Sequence, residues 1–238
     1  MNNVIFQIDF RGSNGENYNP SLYQAEENYT VASVKEYARR IGVDFISIIT
    51  PPKEIEHIER VYKKSILMKV FLFRELLRSN YDKFLFVDRD VLIKENAENI
   101  FDWGEHKYHD FCIARNNTTP NEHQRLEAGE IYNSKLVEVY NSGVFICNRS
   151  AAQAMNDVIP QEIIDGKIDS GRHIGFYNQV LFAHLIYISG IRPYPLNPIW
   201  NWVWWGRPLA EKDYVRTVHY MGDEGKQKLK DMHELRNK

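Results

Sequence analysis

Along the first 150 residues the apolar positions alternate between two periods. Short β-branched and aromatic runs, which suit buried strands, are separated by stretches whose apolar residues recur every three or four positions, which suits amphipathic helices. The first strand is predicted over residues 4–10. A helix over 21–40 follows, with Leu22, Ala25, Tyr29, Ala32 and Val34 at roughly helical spacing and Gly42 as its stop. A second strand over 43–50 ends at Pro51-Pro52, a helix is expected over 64–79, and residues 83–87 form an apolar run of the kind buried on both faces. Further strands are predicted over 111–114 and 143–147, and helices over 151–158 and 177–189. This is the pattern of an α/β fold with a mostly parallel central sheet. With no repeat, linker or low-complexity tract, residues 1–238 read as a single domain.

The last third differs in composition. Pro193, Pro195, Pro198 and Pro208 surround Trp200, Trp202, Trp204 and Trp205, so fixed turns carry large rings and predict a shaped wall. A chain of 238 residues, 43% of them hydrophobic, can bury a core without disulfides or a structural metal. Thirty Lys and Arg are interspersed with 32 Asp and Glu, for a formal charge of −2, so no nucleic-acid partner is expected. Cys112 and Cys147 lie in apolar runs without metal-ligand spacing and read as core thiols of a reducing compartment. The N-terminus lacks the basic start of a signal peptide, and the longest apolar stretch, residues 66–77, is short for a membrane span and carries Lys69, Arg74 and Glu75. A cytoplasmic location without a transmembrane segment is expected; the oligomeric state is not legible.

Candidate chemistry concentrates at Asp88-Arg89-Asp90. A clean apolar strand, 83–87, delivers two carboxylates one residue apart to its C-terminal end, where open α/β sheets place ligands. Alternation sends both to one side, and a hard divalent cation suits the space between them; the alternative is a strand-to-turn junction that Asp merely caps. The same string also fits a haloacid-dehalogenase-like phosphatase with Asp88 as nucleophile. Against that, two βα units precede the motif, whereas such phosphatases open their domain with it. Downstream, Gly143 allows close backbone approach to a ligand. Trp200, Asn201 and Trp202 place two indoles and an amide in one stretch, able to stack on an apolar ring face of a ligand and to meet its polar groups; the competing reading puts these rings in the core.

Four elements in order, FVDRD at 86–90, YNSGVFICN at 140–148, YNQVLFAHL at 177–185 and VHYMGDEGK at 218–226 with LNPIWN at 196–201 before it, resemble GT-A-fold glycosyltransferases. The pattern is most similar to glycosyltransferase family 8, the glycogenin and lipooligosaccharide galactosyltransferase group with its small viral relatives. The resemblance implies a donor half at about 1–95 and an acceptor and metal half at about 96–238. It implies Mn²⁺ or Mg²⁺ held by Asp88, Asp90 and His219, and a nucleoside diphosphate sugar, expected to be a UDP-sugar, transferred to a glycan or other hydroxyl acceptor. Gln7, Asp9, Phe10 and Arg11 then stand toward base and ribose, Asn141, Ser142 and Gly143 line the donor sugar, and Lys69, Arg89, Gly222 and Lys226 approach the diphosphate. Lys69 reads equally well as part of a solvated helix face. Asn178-Gln179 replaces the family's Asp-Gln, so no acid is available there as an inverting base. Retention of configuration is expected, with Gln179 and Asn178 at the reacting carbon; Asp157 and Asp169 are the alternative bases. A binding module that keeps the fold without turnover is the remaining class.

Overall fold

The computed structural model of the chain describes residues 1–10, 20–56, 61–115, 138, 140–159, 174–203 and 214–236. Its central sheet has six strands in the order β2-β1-β3-β6-β5-β7, formed by β1 (Asn3–Ile8), β2 (Asp44–Ile48), β3 (Lys83–Val87), β5 (Phe111–Arg115), β6 (Tyr140–Asn148) and β7 (Tyr194–Pro195). Neighbours run parallel except where β6 pairs antiparallel with β3 and β5. A smaller sheet joins β4 (Val91–Ile93), β9 (Thr217–His219) and β8 (Trp202–Val203).

The helices are α1 (Pro20–Ala25), α2 (Ala32–Ile41), α3 (Lys53–Glu56), α4 (Val61–Arg78), α5 (Arg149–Asp157), α6 (Ile174–Ser189) and α7 (Gly222–Arg236). The helix expected over 21–40 has that extent, but residues Glu26–Val31 between α1 and α2 wind as a wider π turn. Gly42 ends α2 with φ of 70°, the left-handed cap that its lack of a Cβ permits.

Strand β3 shows why the apolar run is continuous. Phe84 and Phe86 face one core with Phe71, Phe73, Phe145 and Phe182, while Leu85 and Val87 face a second with Val34, Tyr37, Ile146 and Trp200. Both faces of the strand are covered, so alternation with polar residues would strand them away from water. Cys112 and Cys147 are buried free thiols, and burial raises both pKa values, that of Cys112 to about 12.

Asn141-Ser142-Gly143 lies inside β6 rather than ahead of it. The β5–β6 register slips between Ile113 and Ala114, so Ile113 opposes Phe145 while Ala114 opposes Asn141. Such slips re-aim a strand beside functional sites. On the other side of β6 the Asp88 N–H donates to the Gly143 carbonyl at 2.8 Å, one residue beyond the Val87–Val144 pair of the β3–β6 ladder. No helix among the described residues is long and apolar enough to cross a membrane.

Candidate active site

The site is built where β3 ends. After Val87 the chain turns: the Val91 N–H donates to the Asp88 carbonyl at 3.1 Å, and β4 leaves in a new direction. The Tyr220 N–H donates to the Asp90 carbonyl at 2.8 Å, and Val91 pairs with His219 across β4 and β9. The turn therefore carries its two acids to the end of β9, 129 positions later in the chain by His219 minus Asp90. Ligand atoms of Asp88, Asp90 and His219 all lie within 4.8 Å of one another. His219 Nε2 is 3.2 Å from Asp90 Oδ1, and the ring is buried, while both acids keep some exposure.

Lys69 enters from α4. Its Nζ, on a residue only 5% exposed, lies 2.7 Å from Asp88 Oδ2 and 3.3 Å from the Ser142 carbonyl, with Ser142 Oγ at 3.5 Å. The solvated-face reading of Lys69 is thus set aside. Burial drives the Asp88 carboxyl above the usual carboxylate range against the pull of Lys69. Burial also opposes ionisation of Asp90, but His219 outweighs it and holds that carboxyl below its ordinary value. The same pairing lifts His219 above the usual imidazole range despite burial. Lys226, exposed on the second turn of α7, adds its field at Asp90. Gly222 opens that helix with φ of 75°, a conformation suited to glycine.

Two carboxylates and an imidazole are the donor set of a small divalent cation such as Mn²⁺, and the space beside the ring is reserved. A Cβ on Gly143 would overlap His219 Cε1 and stand 2.7 Å from Nδ1. The residues present therefore fit the implied metal.

Arg89, at the outer corner of the turn, faces away from this cluster. Its Nη1 is 2.7 Å from Asp9 Oδ2, Nε is 3.1 Å from Glu26 Oε2, and Nη2 is 3.5 Å from Glu27 Oε2; its guanidinium carbon lies 4.5 Å from the Tyr23 ring centroid. Burial, reinforced by Asp90 and opposed by Arg89 and Lys226, raises the Glu26 carboxyl to about 7. Glu26 and Glu27 were not singled out from the sequence. They lie more than sixty positions before Arg89, and the π turn that presents them leaves no periodic signature.

Several of the residues expected at the ligand have partners within the protein. Gln7 is fully buried because β1 is an interior strand, and its Nε2 donates to the Asp88 carbonyl at 3.3 Å, holding the turn rather than meeting a base. Asp9, expected toward ribose, is 3% exposed and paired with Arg89, which was expected toward the diphosphate. Phe10 is half-buried against the first core. Trp200 is core: it is 0% exposed and packs on Tyr37 and Trp103 with ring centroids 6.4 and 6.0 Å away. Trp200 closes a 3-10 turn over Pro198–Trp200 capped by Asn197, and β8 starts only at Trp202.

Asn141 and Asn201, expected at the donor sugar and the acceptor, are instead buried and bonded to each other, Asn201 Nδ2 to Asn141 Oδ1 at 3.0 Å. Trp202 is half-buried in β8. Asn178 and Gln179 lie in the first turns of α6, where Gln179 is half-buried; the Asn178 side chain, Arg11, Asp169, Trp204 and Trp205 lie outside the described residues. Asp157 is exposed at the end of α5 and accepts from Gln153 Nε2.

No protein-family model and no curated protein matches this sequence. Solved structures do match its fold. A glycosyltransferase involved in glycosylation of the major capsid of PBCV-1 superposes with a TM-score of 0.58 at 13% identity, over 99% of this chain and 100% of that one. The galactosyltransferase LgtC, in complex with donor and acceptor sugar analogs, gives 0.57 at 13% identity over 98% and 95%. Mouse xyloside xylosyltransferase 1 gives 0.53 at 14% identity over 93% and 97%. The chain has the fold of these glycosyltransferases, the mixed α/β architecture that the resemblance implied, and matches each over nearly its whole length.

Proposed function

We propose that the protein is a cation-dependent glycosyltransferase that moves a sugar from a nucleoside diphosphate donor, a UDP-sugar, to a hydroxyl acceptor. The observation that carries this reading is the convergence of Asp88, Asp90 and His219 at the C-terminal end of β3, within a fold shared with glycosyltransferases. Asp88, Asp90 and His219 would hold Mn²⁺ or Mg²⁺, which when bound supplies positive charge to the departing diphosphate. Lys69, held at Asp88 and Ser142, and the exposed Lys226 add point charges for the diphosphate. Ser142 and Gly143 border the donor, with Gly143 permitting close approach. Gln179 turns its amide carbonyl toward the reacting carbon, and Asn178 beside it offers no carboxylate base, which favours retention. Trp202 remains the stacking ring for the acceptor. Residues 1–95 form the donor half, and the cation ligands bridge to the second half through His219.

The phosphatase reading fits less well, because that motif opens its domain whereas β1 and β2 precede β3 here. The test is a screen of nucleotide sugars by thermal shift with and without Mn²⁺, followed by nucleotide release and product NMR. A true donor at 100 times its Kd stabilises by about 2.7 kcal/mol, and the product's anomeric coupling is expected to match the donor's. Stabilisation by none of the nucleotide sugars, or turnover unchanged by Asp88→Ala, overturns the proposal.

A further inference from the structure

Gly143 is the only unambiguous reference in a line of polar groups that ends on His219. A backbone N–H can only donate, and that of Gly143 donates to Asn141 Oδ1 at 2.9 Å. That oxygen, identified as an acceptor, is also 3.0 Å from the Asn201 side chain, which must therefore turn its Nδ2 toward it. The second amide is now oriented as well, so Asn201 presents Oδ1 to His219 Nδ1 at 3.0 Å. An amide oxygen only accepts. Nδ1 must carry a proton; Nε2, 3.2 Å from Asp90 Oδ1, carries the second one while the ring is charged, and that is the proton a cation would replace.

We infer that Asn141 and Asn201 are positioning residues that pass the polarity of the Gly143 amide to His219, fixing its ring in the Nδ1–H form with Nε2 turned to the cation. Three features make the line rigid. Asn141, Asn201 and His219 are 5%, 6% and 4% exposed, so water does not compete for the bonds. Asn141 Nδ2 is held by Met221 Sδ at 3.5 Å, which fixes the amide from its other side. The missing Cβ of Gly143 leaves room for the ring. The same glycine accepts from the Asp88 N–H, so one residue of β6 sets a carboxylate ligand through its carbonyl and the imidazole ligand through its amide. Groups behind a metal-binding histidine typically change cation affinity 10–100-fold when removed.

The cation part of this inference rests on the proposed function; the polarity of the line does not, and the test separates them. In metal-free Asp90→Ala protein with ¹⁵N-labelled histidine, where no Asp90 carboxylate competes for Nε2, His219 is expected as the Nδ1–H tautomer at a pH where the ring is neutral, and the tautomer of each further variant is read in this background. Asn201→Ala is expected to lose that tautomer preference and to weaken Mn²⁺ binding, followed by the EPR signal of free Mn²⁺, by about 10–100-fold. Asn141→Asp keeps an acceptor for both Gly143 and Asn201, and is expected to retain tautomer and affinity close to wild type where Asn141→Leu does not. An Nε2–H tautomer in the Asp90→Ala protein overturns the inference even if Asn201→Ala fails to fold. So does an Asn201→Ala protein with unchanged tautomer and affinity. The expected tautomer in Asp90→Ala with no Mn²⁺ binding by the wild type overturns the cation half together with the proposed function.

Discussion

The two sides of the Asp88-Arg89-Asp90 turn both gather carboxylates around a cation, yet they are different kinds of cluster. On the outer side Asp9, Glu26 and Glu27 close on Arg89, whose charge is permanent and whose planar fork suits several carboxylates at once. On the inner side Asp88 and Asp90 face Lys69 and His219, one a flexible point charge and the other a group that can give up its proton. The first arrangement has no partner to release. On the proposed function, the second would exchange the His219 proton for a metal ion. The pairing alone therefore says little about function; what separates structural acids from reactive ones is whether the counter-charge can leave.

Breaking the outer cluster is the harshest way to test that contrast. Arg89→Met strands buried carboxylates without a partner and is expected to cost about 3–5 kcal/mol of stability in metal-free protein, measured by chemical denaturation. A loss under about 1 kcal/mol would make the outer cluster no more structural than a surface ion pair.

Glu26 sharpens the comparison through pH. Its carboxyl is raised from 4.5 to about 7 in the folded protein, so between those values the folded state holds more protons than the unfolded one and stability falls as pH rises. Glu26→Gln removes that penalty. Its gain over wild type is expected to be absent near pH 4 and to grow through pH 7 toward a ceiling of about 3 kcal/mol. Equal pH profiles for the two proteins in EDTA would show that Glu26 ionises as freely as in water.

On the inner side, Gly143→Ala forces the His219 ring aside. Mn²⁺ affinity is expected to fall about 10–100-fold, while Arg89 and its three acids stay in place. An unchanged Mn²⁺ affinity would remove His219 from the ligand set. The smallest effect is expected at the acceptor: Trp202→Ala should raise the acceptor KM by about tenfold, a loss near 1.4 kcal/mol, with the melting temperature little changed. A lower melting temperature with unaltered KM would place Trp202 with Trp200 in the core.

The sequence made the inner cluster legible because its chemistry is local at one end. Asp88 and Asp90 follow an apolar run that both cores explain, and Lys69 and His219 had context through the resemblance. What it concealed has a common cause. Hydrogen bonds of Gln7, Asn141 and Asn201 are long-range, spanning 81, 60 and 18 positions, and nothing in spacing reports which end of an amide faces which partner. Trp200 was ambiguous because an aromatic in a proline-rich stretch packs inward or outward with the geometry of a single 3-10 turn. The ring of carboxylates on Arg89 depends on a π turn that a helical period cannot distinguish from a regular helix.

The most direct measurement is a calorimetric titration of UDP into metal-free protein and into protein saturated with Mn²⁺, repeated with Asp90→Asn. The account predicts that Mn²⁺ tightens UDP binding at least about tenfold in the wild type, some 1.4 kcal/mol of coupling, and that Asp90→Asn abolishes most of that gain. UDP affinity that is the same with and without Mn²⁺, or a gain that survives Asp90→Asn, would contradict it.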